Sequence, residues 1–367
     1  MTTISVDTLQ TWLEEGRTVS IVDVRPLAER MEWAIPGSLH IDAYEALKAH
    51  DSTALANLSL PADTPVVTVC AAGKMSQIAA EYLSVRGLQV SSLEGGMKAW
   101  SLAWNTAEVA LSTNAVRVIQ IRRTGKGCLS YLIGSGNEAT VIDASLDQEV
   151  YLNLAEQEGW QITSVLDTHI HADHLSRSRQ LAEHSGAMLI LPYQQRVTFP
   201  FTAIHDSNTL AIETMHVMAL RTPGHTPEST CYLLEGQILF TGDTLFPTSV
   251  GRPDLDASSQ EAERRAESLY HSLHKLLALP AETIVLPGHT STPIPFDGVP
   301  IMTTLADIDA QVEILHTTRP EFIRVLLSRL PKTPPNYTRI VRLNEQGLLP
   351  EVPITELEAG ANRCAVS

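Results

Sequence analysis

Residues 168–175 read THIHADHL and bring His169, His171, Asp173 and His174 within one short stretch. They follow TSVLDT (163–168), an apolar run that reads as a β-strand. A loop at a strand end is a rigid platform that aims several side chains at one point. Imidazole and carboxylate are the usual ligands of zinc and non-haem iron. Three later segments repeat the layout: TPGHT supplies His225, FTGDT supplies Asp243 and LPGHT supplies His289. Each closes an apolar run in a glycine-containing turn, where the backbone passes close to a ligand. Taken together, the segments point to a metal centre. His271 and His274, spaced i,i+3 on an expected helix, lack carboxylate company and read as helix-face residues. His40, His50, His184, His205, His216 and His316 read likewise.

A chain of 367 residues exceeds one ordinary core, so two domains are expected. Its 44% hydrophobic and 19% charged content describes a globular chain, not a disordered one. A formal net charge of −16 argues against nucleic acid or an anionic membrane as partner, since both require a basic face. No run approaches the roughly 18 apolar residues of a membrane helix. The start, MTTISVDTLQTWLEEG, lacks the apolar stretch of a secretory signal. Cys70, Cys128, Cys231 and Cys364 lie far apart with no pairing pattern, as in a reducing compartment. A cytoplasmic location is therefore expected.

The fold class is α/β throughout, in two parts. In the first hundred residues, SIVDV (20–24) and PVVTV (65–69) read as buried strands and KMSQIAAEYLSVRG (74–87) as a helix stopped by Gly87. This alternation predicts a small doubly wound domain over 1–106. A linker is expected at 107–114, where no period is visible. From 115 to 367 the texture is of mixed strands with flanking helices, the latter expected near 147–158, 174–185, 258–277, 303–315 and 319–330. CYLLEGQILFTGDT reads as a hairpin around Glu235-Gly236.

VVTVCAAGKMS (66–76) sets Cys70 at a strand end, ahead of Gly73 and a helix. Loop N–H groups and the helix N-terminus then point at the sulfur and stabilise a thiolate or persulfide. The segment resembles a rhodanese (sulfurtransferase) domain in this loop, in DVRPLAERMEWAIPGSLHI (23–41) and in LEGGMKAW (93–100). The resemblance implies Cys70 as nucleophile, with Ala71, Ala72, Gly73, Lys74 and Met75 completing a six-residue sulfur-binding loop. Many relatives carry arginine at the position of Met75 and Gly-His at Trp33-Ala34. The missing arginine leaves the sulfur donor and the direction of transfer open.

The order H-x-H-x-D-H, His, Asp, His resembles the metallo-β-lactamase superfamily and implies an αββα sandwich. Two uses of the ligands follow. As in the superfamily's zinc hydrolases, all seven side chains hold a dinuclear centre bridged by Asp243. As in persulfide dioxygenases, His169, His225 and Asp243 hold one Fe(II), a 2-His-1-carboxylate triad with open positions. His171, Asp173, His174 and His289 are then supporting groups rather than ligands of a second metal. TGDTLFPTSVGRPDL (241–255) and the tail LPKTPPNYTRIVRLN…EAGANRCAV are similar to persulfide dioxygenases and their rhodanese fusions. That likeness places Arg252 near the active site, as a binder of a substrate carboxylate or an anchor for Asp254. Cys128 and Cys231 read as core, and Cys364 has no assigned role.

The expected function is Fe(II)-dependent oxidation of a thiol persulfide, such as glutathione persulfide, by O2 to sulfite and free thiol. Cys70 exchanges sulfane sulfur with sulfite, thiosulfate and thiol. The alternative is a dinuclear zinc hydrolase of a glutathione thioester with a sulfurtransferase or docking domain. Self-association into a homo-oligomer is left open.

Overall fold

The structure, a computed structural model, describes residues 2–111 and 116–366. Its first unit is built on five strands: β1 (Thr2–Ile4), β2 (Ser20–Asp23), β3 (Leu39–His40), β4 (Val66–Val69) and β5 (Val90–Leu93). They run parallel in the order β1-β5-β4-β2-β3. The helices are α1 (Val6–Glu14), α2 (Leu27–Glu32), α3 (Tyr44–Lys48), α4 (Lys74–Ser84) and α5 (Gly96–Trp100). Strand β4 is buried along its whole length, which is why it reads as a continuous β-branched run. Two cores, one around Trp100 and one around Leu47, cover the two faces of the sheet.

A seven-stranded sheet follows: β6 (Asn105–Val109), β7 (Arg117–Arg123), β8 (Cys128–Ser135), β9 (Glu138–Ile142), β10 (Gln161–Leu166), β11 (Met188–Pro192) and β12 (Thr202–Ile204). Later strands are β13 (Thr209–Ile212), β14 (Met215–Arg221), β15 (Thr230–Leu234), β16 (Ile238–Gly242), β17 (Leu245–Phe246), β18 (Ser249–Gly251), β19 (Ile284–Pro287), β20 (Thr303–Thr304) and β21 (Ala365–Val366). Of these, β13-β14-β15-β16-β19-β20 form a second sheet, and β17-β18-β21 a small third one. The two large sheets face each other across one core, where Tyr131 of β8 meets Phe240 of β16 edge to face at 4.8 Å. Helices α6 (Gln148–Glu158) and α7 (Ser178–Ser185) cover the outer face of the first sheet. The outer face of the second is covered by α8 (Ser259–Leu277), α9 (Leu305–Gln311) and α10 (Arg319–Ser328). This is the expected αββα sandwich. The chain ends with α11 (Tyr337–Gln346), α12 (Ile354–Glu358) and β21.

Three local expectations change. The first three residues of the expected linker, 107–109, belong to strand β6, whose residues 105, 107 and 109 are buried and which pairs with β7, while 112–114 lie outside the described residues. The alternation spans only five residues, too few to stand out from the polar context. Helix α7 starts at Ser178 rather than 174, because side chains take the backbone groups that would begin it. Asn344 donates to the carbonyl of His174, and Glu358 accepts from the N–H of Leu175. Helix α11, which carries Asn344, was not anticipated.

The two units are closely joined. A Cβ at Gly125 would sit 1.8 Å from the Trp100 carbonyl oxygen, and one at Gly127 2.8 Å from the Trp33 ring. Lys98 pairs with Glu356, and Arg363 with Glu32.

Candidate metal centre and sulfur-binding loop

The loop after β10 is held from several elements at once. Asp143, at the end of β9, accepts from the Thr168 N–H at 2.7 Å and from its hydroxyl at 2.8 Å. Glu228 accepts from the Ile170 N–H at 3.0 Å, and Asn344 donates to the carbonyls of His171 and His174. Because the Thr168 hydroxyl proton goes to Asp143, its oxygen accepts from His169 Nδ1 at 2.9 Å. His225 Nδ1 likewise donates to the Arg252 carbonyl at 2.8 Å. Each arrangement leaves a bare Nε2 lone pair, the form a metal ligand needs.

Those two nitrogens face one oxygen. His169 Nε2 lies 3.8 Å and His225 Nε2 3.6 Å from Asp243 Oδ2, in a buried site. His169 Nε2 and Asp243 Oδ2 have no hydrogen-bond partner among the described residues. Burial pushes both imidazoles below the ordinary histidine range, well below for His169, and keeps them neutral. Burial alone would raise the Asp243 carboxyl, but the neighbouring imidazoles, His289 foremost, hold it well below the usual carboxylate range. Three buried, deprotonated donors converging on one point fit a cation.

The other four expected residues behave differently. Asp173, His174 and His289 gather beside the triad with Cys128. His289 spans two carboxylates, Nδ1 to Asp243 Oδ1 at 2.5 Å and Nε2 to Asp173 Oδ2 at 2.9 Å. Burial would lower the His289 and His174 imidazoles, but the carboxylates outweigh it: His289 rises well above its ordinary value and His174 to about 10. His171 lies between His169 and His174, its ring 4.2 Å from each, with Nε2 on Asp143 at 3.2 Å and Nδ1 buried without a partner among the described residues.

Two thiols belong to the site, against the expectation for Cys128. The first residue of β8, it bridges to His289 and puts Sγ 3.6 Å from Asp173 Oδ2. Cys364 lies with Asp243 and His289. Cys231 is core, as expected. Arg252 is buried with all five N–H groups engaged: two on Asp254 at 2.8 Å and three on the carbonyls of Pro331, Lys332 and Arg363. It anchors Asp254 and ties loop to tail, and keeps no donor for a substrate carboxylate. Its backbone carbonyl, not its guanidinium, serves the metal centre.

At the other centre, Cys70 Sγ accepts from the Gly73 N–H at 3.1 Å and the Ser76 hydroxyl at 3.3 Å. Gly73 adopts φ 89° to start α4. Met97 and Lys98 N–H groups donate to the carbonyls of Cys70 and Ala71, so the LEGGMKAW segment holds the loop from behind. Gly96 is required there: a Cβ would sit 2.2 Å from the Cys70 carbonyl oxygen. Ala72 and Lys74 are exposed, and Met75 is half-buried against the core.

Comparison with known proteins agrees with this division. The family description "Rhodanese-like domain" matches residues 5–103, and "Metallo-beta-lactamase superfamily" matches 123–201 and 191–289. A hydroxyacylglutathione hydrolase of Rhodospirillum rubrum is 31% identical over 61% of this chain and 78% of its own length. The chain belongs to the metallo-beta-lactamase superfamily. Its lactamase-fold domain follows an N-terminal rhodanese domain. The hydroxyacylglutathione hydrolase of Rhizobium johnstonii is 36% identical over 41% of this chain, which spans only 57% of that relative's length. Among solved structures, a metallo-beta-lactamase from Staphylococcus aureus is 27% identical, with TM-score 0.60 over 64% of this chain and 75% of its own. ETHE1 from Myxococcus xanthus is 27% identical, with TM-score 0.53 over 66% of this chain and 98% of its own. No helix among the described residues is long and apolar enough to cross a membrane.

Proposed function

We propose that this superfamily member is an Fe(II)-dependent persulfide dioxygenase fused to a sulfurtransferase. Its substrates would be a small thiol persulfide, glutathione persulfide or similar, and O2; its products are sulfite and free thiol. The observation that carries the reading is the asymmetry of Asp243. Oδ1 is taken by His289, and only Oδ2 is turned to the two neutral imidazoles. That is a one-metal donor set of two histidines and one carboxylate, suited to ferrous iron with open positions. When bound there, iron supplies the redox and oxygen-handling chemistry.

The chain's own contribution is orientation. Thr168 and the Arg252 carbonyl fix which nitrogen of His169 and His225 is free, and Asp143 fixes Thr168. Burial excludes water from the donors and strengthens their charge interactions. In the rhodanese domain, the Cys70 thiolate takes a sulfane sulfur, and the Gly73 N–H and Ser76 hydroxyl stabilise the charge.

A second reading, a dinuclear zinc hydrolase of a glutathione thioester, is favoured by the names of the hydroxyacylglutathione hydrolases and by the unpartnered His171 Nδ1 and His174 Nε2. Oxygen uptake separates the two. The purified protein, loaded anaerobically with Fe(II), should consume O2 and release sulfite on addition of glutathione persulfide. Thioester hydrolysis after zinc loading, with no O2 uptake in the iron form, would overturn the dioxygenase.

A further inference from the structure

Three hydroxyls lie out of solvent beneath the sulfur-binding loop: Thr68 of β4, Ser76 of α4 and Ser92 of β5, each at most 1% exposed. Thr68 and Ser92 are paired across β4 and β5. Ser76 shares the buried face of α4 with Ala79, Ala80 and Leu83. The layer they belong to is otherwise apolar, with Val66, Ala79, Ala80, Leu83 and Val90 in one core with Cys70. A buried hydroxyl costs stability unless it is hydrogen-bonded, and alanine or valine would fill such places without that cost. These three are bonded, and their bonds lead to the nucleophile.

Ser92 Oγ donates to Ser76 Oγ at 2.9 Å. Ser76 Oγ in turn lies 3.3 Å from Cys70 Sγ and 3.1 Å from the Gly73 carbonyl. Ser76 has one proton for these two acceptors. A bond to the carbonyl three residues back is the ordinary choice of a serine in a helix. An anionic sulfur reverses it, because a charge-assisted bond is about twice as strong as a neutral one. Ser92 favours the reversal: its donated bond fixes the Ser76 oxygen in place and polarises the Ser76 O–H toward its acceptor. Thr68 acts differently. It donates to the Ser76 carbonyl at 2.7 Å, and so holds the backbone and not the hydroxyl. Among the described residues, Sγ accepts from the Gly73 N–H and the Ser76 hydroxyl alone, and Met75 adds no cation to the loop.

We propose that Ser92 is a positioning residue of the sulfurtransferase, which acts on Cys70 only through Ser76 and turns the Ser76 proton onto the sulfur whenever that sulfur is anionic. This rests on the reading of Cys70 as a sulfane-sulfur carrier. Sγ carries the charge twice in a cycle, as the thiolate that attacks a donor and as the group that leaves when an acceptor takes the sulfur. In the second step an acceptor thiolate attacks the terminal sulfur, and its new S–S bond forms as the Cys70 S–S bond breaks. R–S⁻ and Cys–S–SH become R–S–SH and Cys–S⁻, with no net oxidation. A proton donor held at Sγ makes Cys70 the better leaving group.

The test uses the full chain, reduced and without added metal, so it is independent of any oxygenase or hydrolase activity. Alkylation of Cys70 by iodoacetamide is followed across the neutral and alkaline range by mass spectrometry of the Cys70 peptide. Ser92→Ala should move the pH profile to higher pH and slow alkylation near neutrality about fivefold, the weight of one buried hydrogen bond. The alkaline plateau, where every Cys70 is a thiolate, should stay at the parent rate. Ser92→Thr restores the hydroxyl and should return the profile to that of the parent. Thr68→Val removes an equally buried hydroxyl that does not touch the Ser76 hydroxyl, and should leave the profile in place. A merely structural role for Ser92 would lower the plateau or make the alanine and valine variants behave alike. An unmoved profile in Ser92→Ala, or an equal displacement in Thr68→Val, overturns the proposal. A parent Cys70 that gains no sulfur from glutathione persulfide or thiosulfate would instead count against the sulfurtransferase reading, while the alkylation profiles still decide the role of Ser92.

Discussion

Arg123 Nη2 and Glu358 Oε2 meet at 2.7 Å with both side chains wholly out of solvent. Arg123 also donates to the Ser101 carbonyl, and the other Glu358 oxygen accepts from the Leu175 N–H next to the metal loop. The pair therefore joins the end of the rhodanese domain, strand β7, the metal loop and the C-terminal tail. Desolvation of two charges cancels much of their attraction, but removing one partner leaves the other buried and unpaired. Glu358→Gln should cost about 3–5 kcal/mol, read by urea unfolding. The pH dependence has a definite sign. Burial would raise the Glu358 carboxyl, yet Arg123 and Arg177 hold it below its ordinary 4.5. The stabilisation is present above 4.5 and is lost as pH falls through the lower, folded-state value. The gap between parent and variant should shrink below pH 4.5; a gap that widens there refutes the assignment.

The convergence of His169, His225 and Asp243 was legible because each ends an apolar strand in a short turn, a pattern readable within one segment. The two sheets were legible for the same reason: their strands are continuous or alternating apolar runs. What holds the ligands was not. Asp143, Asn344, Glu358 and Asn362 come from distant parts of the chain, and none has a local pattern marking a partner. Cys128 was misread because a cysteine opening an apolar strand looks like core. Only the pairing of β8 with the turn after β19 shows that this strand begins at the metal centre. Of the two roles the sequence offered Arg252, binding a substrate carboxylate or anchoring Asp254, its five acceptors single out the second.

Arg252 thus has a structural role that is separable from substrate binding. Lysine keeps the charge but loses the planar fork that serves Asp254 and three carbonyls at once. Arg252→Lys should destabilise the chain by about 2 kcal/mol or more in urea unfolding, as buried acceptors lose their donors. The KM for glutathione persulfide should stay within about twofold, under half a kcal/mol. A KM raised tenfold with unchanged stability would restore Arg252 as a substrate anchor.

Thr168 sets the tautomer of His169, and this is testable without turnover. Thr168→Val removes the hydroxyl that accepts from Nδ1 while keeping the shape of the side chain. Metal affinity should fall by about 10–100-fold, the usual effect of losing a group that orients a ligand, measured by competition against a chelator. Thr168→Ser should restore it. Unchanged affinity in the valine variant would mean that Asp243 and His225 position the ion unaided.

The two centres should fail independently. Cys70 lies in the core around Leu47, whose residues all come from the first unit, and no residue of the triad belongs to it. Cys70→Ser removes the only atom that carries sulfane sulfur in the loop, yet touches no group near Asp243. It should abolish sulfur transfer and spare O2 uptake. Asp243→Ala removes the single anionic donor that faces His169 and His225. It should abolish iron retention and O2 uptake while sulfur still loads onto Cys70. Loss of both activities in Cys70→Ser, with the fold intact by circular dichroism, would refute separate centres.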